Sequence, residues 1–418
     1  MVRRAPGLVS VAVALVALAA CTTTPYRPSS SATAAVTSVA PSSDAPPTGN
    51  APTEIGDVSG DRLIVLRDDG NLASMGPDGT AVVPLTSEAG PDVQVAQPVA
   101  SPDGRYLAWV EIRAGRPSIV TATRAGDVRD EIPVRIAPFF LQWDPTSRRI
   151  AYLGNLGIGI GFGVIDAAMV DPRDIAVGGG SPLYLAWSPD GKELLVHVGA
   201  DGLGRTDMKH PLEPTGDSPG TFQAPAWLPD GRTLFDRLHG HDQQLVVADG
   251  AHRQVLATFR GGVVFAPSPD GTQVAYRIDR ANGSQDGVYV QDTDGGKPVT
   301  VTHDETTAFF WSPRGDALLL MTPEPGATEP IHRWRVWDGR ERFVSEPFVP
   351  SPTFFQEYVP FFDQYALALT PWSPDGRAFA YAGSVESSGG IWVQPVVRGA
   401  APQLVSDGGF VMWSPPVR

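Results

Sequence analysis

From about residue 60 onwards the chain alternates short apolar runs with clusters of Gly, Pro, Asp and Ser, and helical periodicity is nearly absent. RLIVL (62–66), NLASMG (71–76) and AVVPLT (81–86) open the series. One stretch shows the order well: TQVAYRI, GVYVQDT, PVTVTH and then TTAFFWS follow one another from Thr272 onwards. Runs of this length, rich in Val, Ile, Tyr and Phe and bounded by turn residues, are strands. The pattern predicts an all-β chain.

A turn motif recurs between these runs: SPDGRYLAWV at 101, WDPTSRRIAYL at 143, WSPDGKELLVHV at 187, WLPDGRTLFDRL at 227, PSPDGTQVAYRI at 267, WSPRGDALLLM at 311, WSPDGRAFAYAG at 372 and WSPPVR at 413. Its prolines (102, 145, 189, 229, 269, 313, 374 and 415) are spaced by 43, 44, 40, 40, 44, 61 and 41 residues. That period is the length of a four-stranded propeller blade. The motif has a mechanical reason. Proline presets φ for the second turn position, aspartate suits the third, and glycine accepts the left-handed fourth, which joins two antiparallel strands. Apolar runs on both sides of the turn imply strands buried on both faces, as when sheets stack around an axis. Tryptophan stands two residues before the proline in six of the eight copies, where it would wedge between neighbouring sheets.

The ends supply the closure. GGFVMWSP at the C-terminal end is one strand without followers, whereas residues 62–86 are three strands without a predecessor. Joined, they make one composite blade, and no sheet edge is left free. The fold class expected is therefore all-β, a single propeller of four-stranded antiparallel blades over residues 56–418. Eight blades are expected, with seven as the runner-up if the Gly-rich unit after Pro145 stays incomplete.

The Trp-Ser-Pro-Asp-Gly copies resemble the WD-like repeats of the TolB propeller family over about residues 60–418. The resemblance implies architecture. For function it is broad, since such repeats occur in envelope scaffolds, peptidases and sugar-acting enzymes. TolB's extra N-terminal α/β domain and six-bladed ring do not match here, and no residues remain for the hydrolase domain of a prolyl oligopeptidase.

Upstream of the repeats, Arg3 and Arg4 precede an apolar stretch from Leu8 to Leu18 and then Leu18-Ala19-Ala20-Cys21. This is a secretory signal pattern over residues 1–20, too short for a good spanning helix. The ending resembles the bacterial lipoprotein box, which implies lipidation at Cys21 and an extracytoplasmic, membrane-tethered location. An ordinary signal peptide is the alternative. Cys21 is the only cysteine of 418 residues, so disulfides and thiolate metal cages are excluded. Residues 21–55, mostly Ser, Thr, Ala and Pro, read as a disordered tether reaching on the order of 30 Å. The formal net charge of −14 argues against nucleic acid or a bare anionic membrane as main partner.

Candidate chemistry is sparse. Gly216-Asp217-Ser218-Pro219-Gly220 matches a nucleophile elbow in letters only, because the residue after the serine is Pro219, which has no N–H for an oxyanion hole. Gly157, Gly159, Gly161 and Gly163 alternate with apolar residues, which suits close backbone approach. Asp292-Thr293-Asp294-Gly295 lacks the later ligands of a calcium loop and reads as a hairpin turn. His239, His241 and Asp242 are a candidate metal set without a third assignable histidine; solvated loop histidines are the alternative.

The 61-residue interval holds an aromatic insertion, Phe348 to Ala366, whose Ser351-Pro352 can start a short helix. Phe354, Phe355, Glu357, Tyr358, Phe361, Phe362, Asp363 and Gln364 are its candidate binding residues, as a lid or recognition loop; packing against the outer wall or channel mouth is the other reading. This insertion and the long loops share the end of the ring opposite the Ser-Pro-Asp-Gly turns, where binding is expected. The function expected is a non-enzymatic envelope scaffold that holds a protein or cell-wall partner and needs no cofactor. The alternative is a glycan- or small-ligand-acting enzyme, possibly metal-dependent.

Overall fold

The structure, a computed structural model, describes residues 60–417 apart from 157–158, 168–173, 181–182, 200–201, 222, 281, 328–329 and 366–367. The leader, Cys21 and the tether lie outside the described residues.

Six four-stranded antiparallel sheets and one eight-stranded sheet account for the strands. Four of them follow the sequence repeat directly, each running outward from the strand before a turn motif. In the sheet that opens with Gly261–Pro267, for example, Gln273–Arg280, Gln285–Asp292 and Val299–Thr302 follow in order. The Gly-rich unit also completes its four strands, ending in Asp174–Gly180. Its Gly163 is required by packing: a Cβ there would sit 2.4 Å from the Tyr152 ring. In the eight-stranded sheet two copies of the motif, around Pro313 and Pro374, are joined through the short strand Phe348–Pro350.

The two ends meet as expected. Arg62–Leu66 pairs antiparallel with Phe410–Ser414, placing Ile64 opposite Met412 and Leu63 opposite Trp413. Leu72–Met75 and Val83–Pro84 complete that sheet. Arg124, 3% exposed and carried by the neighbouring sheet, binds both ends at once. Its guanidinium donates to the carbonyls of Pro415 (2.6 Å) and Ser414 (3.3 Å), and to that of Gly60.

Each turn closes on itself. The N–H of Gly104, Gly191, Gly271, Gly315 and Gly376 reaches the carbonyl of the motif serine at 2.8–2.9 Å. Ser147 takes the glycine's place in WDPTSRRI at φ 59°, a left-handed conformation unusual for a side-chain-bearing residue. The serine hydroxyl adds a brace: Ser101 Oγ donates to Asp103 (2.6 Å) and accepts the Tyr106 N–H (2.9 Å).

The tryptophans tie sheet to sheet. The indole N–H of Trp187 donates to Gln142 O (3.2 Å), that of Trp311 to Ala266 O (2.9 Å), that of Trp372 to Phe310 O (3.1 Å) and that of Trp413 to Pro371 O (2.8 Å). In every case the acceptor belongs to the innermost strand of the preceding unit, one residue before its own motif tryptophan or equivalent. The wedge is thus also a hydrogen bond, repeated around the ring. Burial on both faces holds for inner strands such as Arg62–Leu66 but fails at the rim, where no further strand covers the outermost ones. Val299 is 54% and Leu404 48% exposed.

Candidate functional site

The long interval is an excursion of an innermost strand. The chain pairs with the Ala378–Val385 strand at Phe348–Pro350, leaves it, and returns at Trp372, which bridges Phe379. A helical run begins at Pro352. The Ser351 hydroxyl accepts the Phe354 N–H (3.2 Å) and donates to Gly409 O (2.5 Å), as a helix-starting serine should. The run then changes pitch: a π turn over Phe354–Tyr358, a 3-10 turn over Val359–Phe361 and one α turn over Phe362–Tyr365.

Its partners come from around the whole ring. The Phe362 ring meets Phe309 edge-on at 4.9 Å, and Tyr358 stacks on Phe310 at 6.2 Å and on Phe354 at 5.2 Å. Phe354 and Phe355 lie against Trp334 (6.3 Å) and His332 (5.4 Å), while Tyr358 also touches Phe410 (6.0 Å). Gln364 acts as a clamp: its Oε1 accepts the Leu185 N–H (3.0 Å) and its Nε2 donates to Leu185 O (2.8 Å). Asp363 accepts the Ala224 N–H at 3.3 Å. Glu357 and Phe361 remain exposed. Phe309, Phe410 and Leu185 stand on innermost strands of three different sheets, and Ala224 lies just before that of a fourth. The insertion therefore fills the axis of the ring. It is neither an outer-wall patch nor a flap over the mouth.

At the turn end the ring stays open. A cavity of about 540 Å³ is lined by all eight motif prolines, by Trp143, Trp187, Trp227, Trp372 and Trp413, and at its base by Ala368 and Thr370 of the insertion. Its lining contains no ionisable side chain. This concavity lies at the end opposite the one favoured from loop lengths. Loop length reports how much chain is available at a face, whereas the depth of a face depends on what fills the axis beneath it.

The histidine pair sits elsewhere. Thr233–His239 and Asp242–Asp249 form a hairpin in which His239 and Asp242 are cross-strand partners and Gly240-His241 is the turn. Both histidines are exposed, and Asp242 accepts from Arg260 at 2.9 Å. Among the described residues no group of three His, Cys, Asp or Glu side chains could hold a metal ion. The Gly216–Gly220 segment is a polar turn: Asp217 is clasped by Arg237 (3.1 Å) and Arg253 (2.7 Å), and Ser218 O accepts the Leu238 N–H (2.9 Å).

Two carboxyls inside the ring are perturbed. Burial pushes Asp363 up to about 6, against the opposing hydrogen bond from Ala224. Burial likewise raises Asp236 to about 6, although the Thr221 hydroxyl donates to it at 2.7 Å. Neither adjoins a nucleophile or a cluster of titratable groups, so both read as costs of burial rather than as catalytic acids.

No protein-family model matches the chain, and no curated protein matches it. Solved structures do. A structure of two prolyl endopeptidases is similar at TM-score 0.51 and 14% identity, covering 78% of this chain and 51% of that one. A eukaryotic initiation factor is similar at TM-score 0.50 and 12% identity, covering 85% of this chain and 99% of that one. TolB from Acinetobacter baumannii is similar at TM-score 0.39 and 18% identity, covering 70% and 67%. At such identities the likeness is one of fold alone, and the fold is that of a β-propeller.

Proposed function

We propose that the protein is a non-enzymatic binding propeller, held outside the cytoplasm by a lipid on Cys21, with its ligand seat in the turn-end cavity. One observation carries the seat: a neutral concavity ringed by eight equivalent prolines and floored by the insertion. Concave, largely apolar hollows of several hundred Å³ are the usual places for ligands. The absence of a nucleophile–base pair or metal cluster among the described residues favours holding over turnover. The end of the ring expected from loop lengths is thereby given up in favour of the opposite one; the envelope role and the protein or cell-wall partner are kept.

A photo-crosslinking amino acid at Ala368, on the cavity floor, tests this in cells. The reading expects a discrete adduct from Ala368 and none from Val397, which is 62% exposed. Adducts from Val397 alone would overturn the seat, and turnover of a defined substrate by purified protein would overturn the non-enzymatic role.

A further inference from the structure

Four of the six motif tryptophans spend their indole N–H on the preceding sheet. The other two do not. Among the described residues the Nε1 atoms of Trp143 and Trp227 have no partner, and neither has the Oε1 of Gln142. All three residues line the turn-end cavity. They are held firmly: Trp143, 6% exposed, stacks on Tyr106 at 6.5 Å, and Arg205 lies 4.6 Å over the Trp227 ring. Gln142 is 8% exposed. An unpaired buried donor costs about 1–3 kcal/mol, so two such donors on one arc of the ring call for acceptors from outside the chain.

The lining narrows what can bring them. It has no ionisable side chain, so a charged group would lose its hydration without compensation. The ligand must be neutral, apolar, and richer in acceptors than in donors. Among polypeptides, proline-rich segments meet these terms: each prolyl residue keeps its carbonyl and has no N–H to leave unpaired. Their preset extended form also lowers the entropy lost on binding. Because Ala368 and Thr370 close the floor, such a segment enters and leaves by one mouth.

We infer that the turn-end cavity binds an uncharged, proline-rich segment of a partner polypeptide, with the indole N–H groups of Trp143 and Trp227 donating to its carbonyls. This rests on the ligand seat proposed above. The test uses the full chain in detergent micelles, with ¹⁵N-labelled indoles, titrated with blocked (Pro-Ala)5 and blocked (Ser-Ala)5 peptides. Two indole resonances, assigned by Trp143→Phe and Trp227→Phe, are expected to move downfield with the proline peptide and to respond at least about ten-fold more weakly to the serine peptide. Each Phe variant should weaken binding about three- to ten-fold, the worth of one hydrogen bond, while the other indole resonances stay in place and report an intact fold. Equal affinity for the two peptides, or no movement of those resonances at millimolar peptide, would overturn the inference. If the peptides fail while Ala368 still yields its adduct, the ligand class falls and the seat stands. If both fail, the seat falls as well.

Discussion

Arg124 and Pro415, 291 residues apart in sequence, are joined by a 2.6 Å hydrogen bond from the guanidinium to the carbonyl. The same side chain holds Ser414 O and Gly60 O, so one buried cation grips both strands of the composite sheet from next door. Gly104 lies against the same segment: a Cβ there would meet Pro415 O at 2.4 Å, and its φ of 71° already favours glycine.

Arg124→Ala leaves three carbonyls without their donor and should lower stability by about 2–4 kcal/mol in urea denaturation. Amides of Arg62–Leu66 should exchange faster, because the clasp restrains that strand. Arg124→Lys should recover only part of the loss, since one ammonium cannot span three acceptors in the guanidinium's fan. A loss under about 0.5 kcal/mol for the alanine variant, at the level of an ordinary surface change, would remove the clasp from the account.

The indole bonds predict a difference between like substitutions. Trp311→Phe loses packing volume together with the bond to Ala266 O, whereas Trp143→Phe loses packing volume without a bond. The first should cost about 1 kcal/mol more than the second in matched denaturation experiments. Equal costs would mean that the repeated hydrogen bond contributes nothing beyond the ring's bulk.

Stability should also depend on pH through Asp363. Its carboxyl is raised to about 6 in the folded chain by burial, against 3.8 as the model value, so the native state holds the proton more tightly than the unfolded one. Stability from this group is therefore fullest below pH 3.8, declines as pH rises to about 6, and is constant above. Asp363→Asn keeps an acceptor for the Ala224 N–H and removes the charge. It should stabilise by up to about 3 kcal/mol at pH 8 and by nearly nothing at pH 3.5, as urea midpoints at the two pH values would show. Asp236, raised to about 6 in the same way, keeps a residual slope in that variant. An effect equal at both pH values would contradict the assignment.

Much of the architecture was legible in the spacing of eight prolines, because one turn chemistry serves every unit and its period equals the length of four strands. The pairing of Ile64 with Met412 followed from counting which end lacked a strand. Arg124 was not legible: nothing in its neighbourhood distinguishes an arginine that binds carbonyls from one that faces water. Nor was the path of the insertion. Its aromatic residues announce burial without saying against what, and Gln364 reveals its role only where Leu185, 179 residues away, comes within reach. The cavity escaped for the same reason. The prolines that mark the repeat also line its mouth, but a hollow is defined by what fills the axis below.

That filling is the claim on which the seat and its single mouth depend, and the Gln364 side-chain amide tests it most directly. In NMR spectra of selectively labelled protein, its Nε2 protons should exchange slowly with water and show cross-peaks to the Leu185 backbone. Gln364→Ala should abolish these and cost about 2–4 kcal/mol of stability, because a buried N–H and a buried carbonyl are left unpaired. A Gln364 amide that exchanges at the rate of a free side chain, with no cross-peak to Leu185, would place the insertion outside the ring and contradict the account.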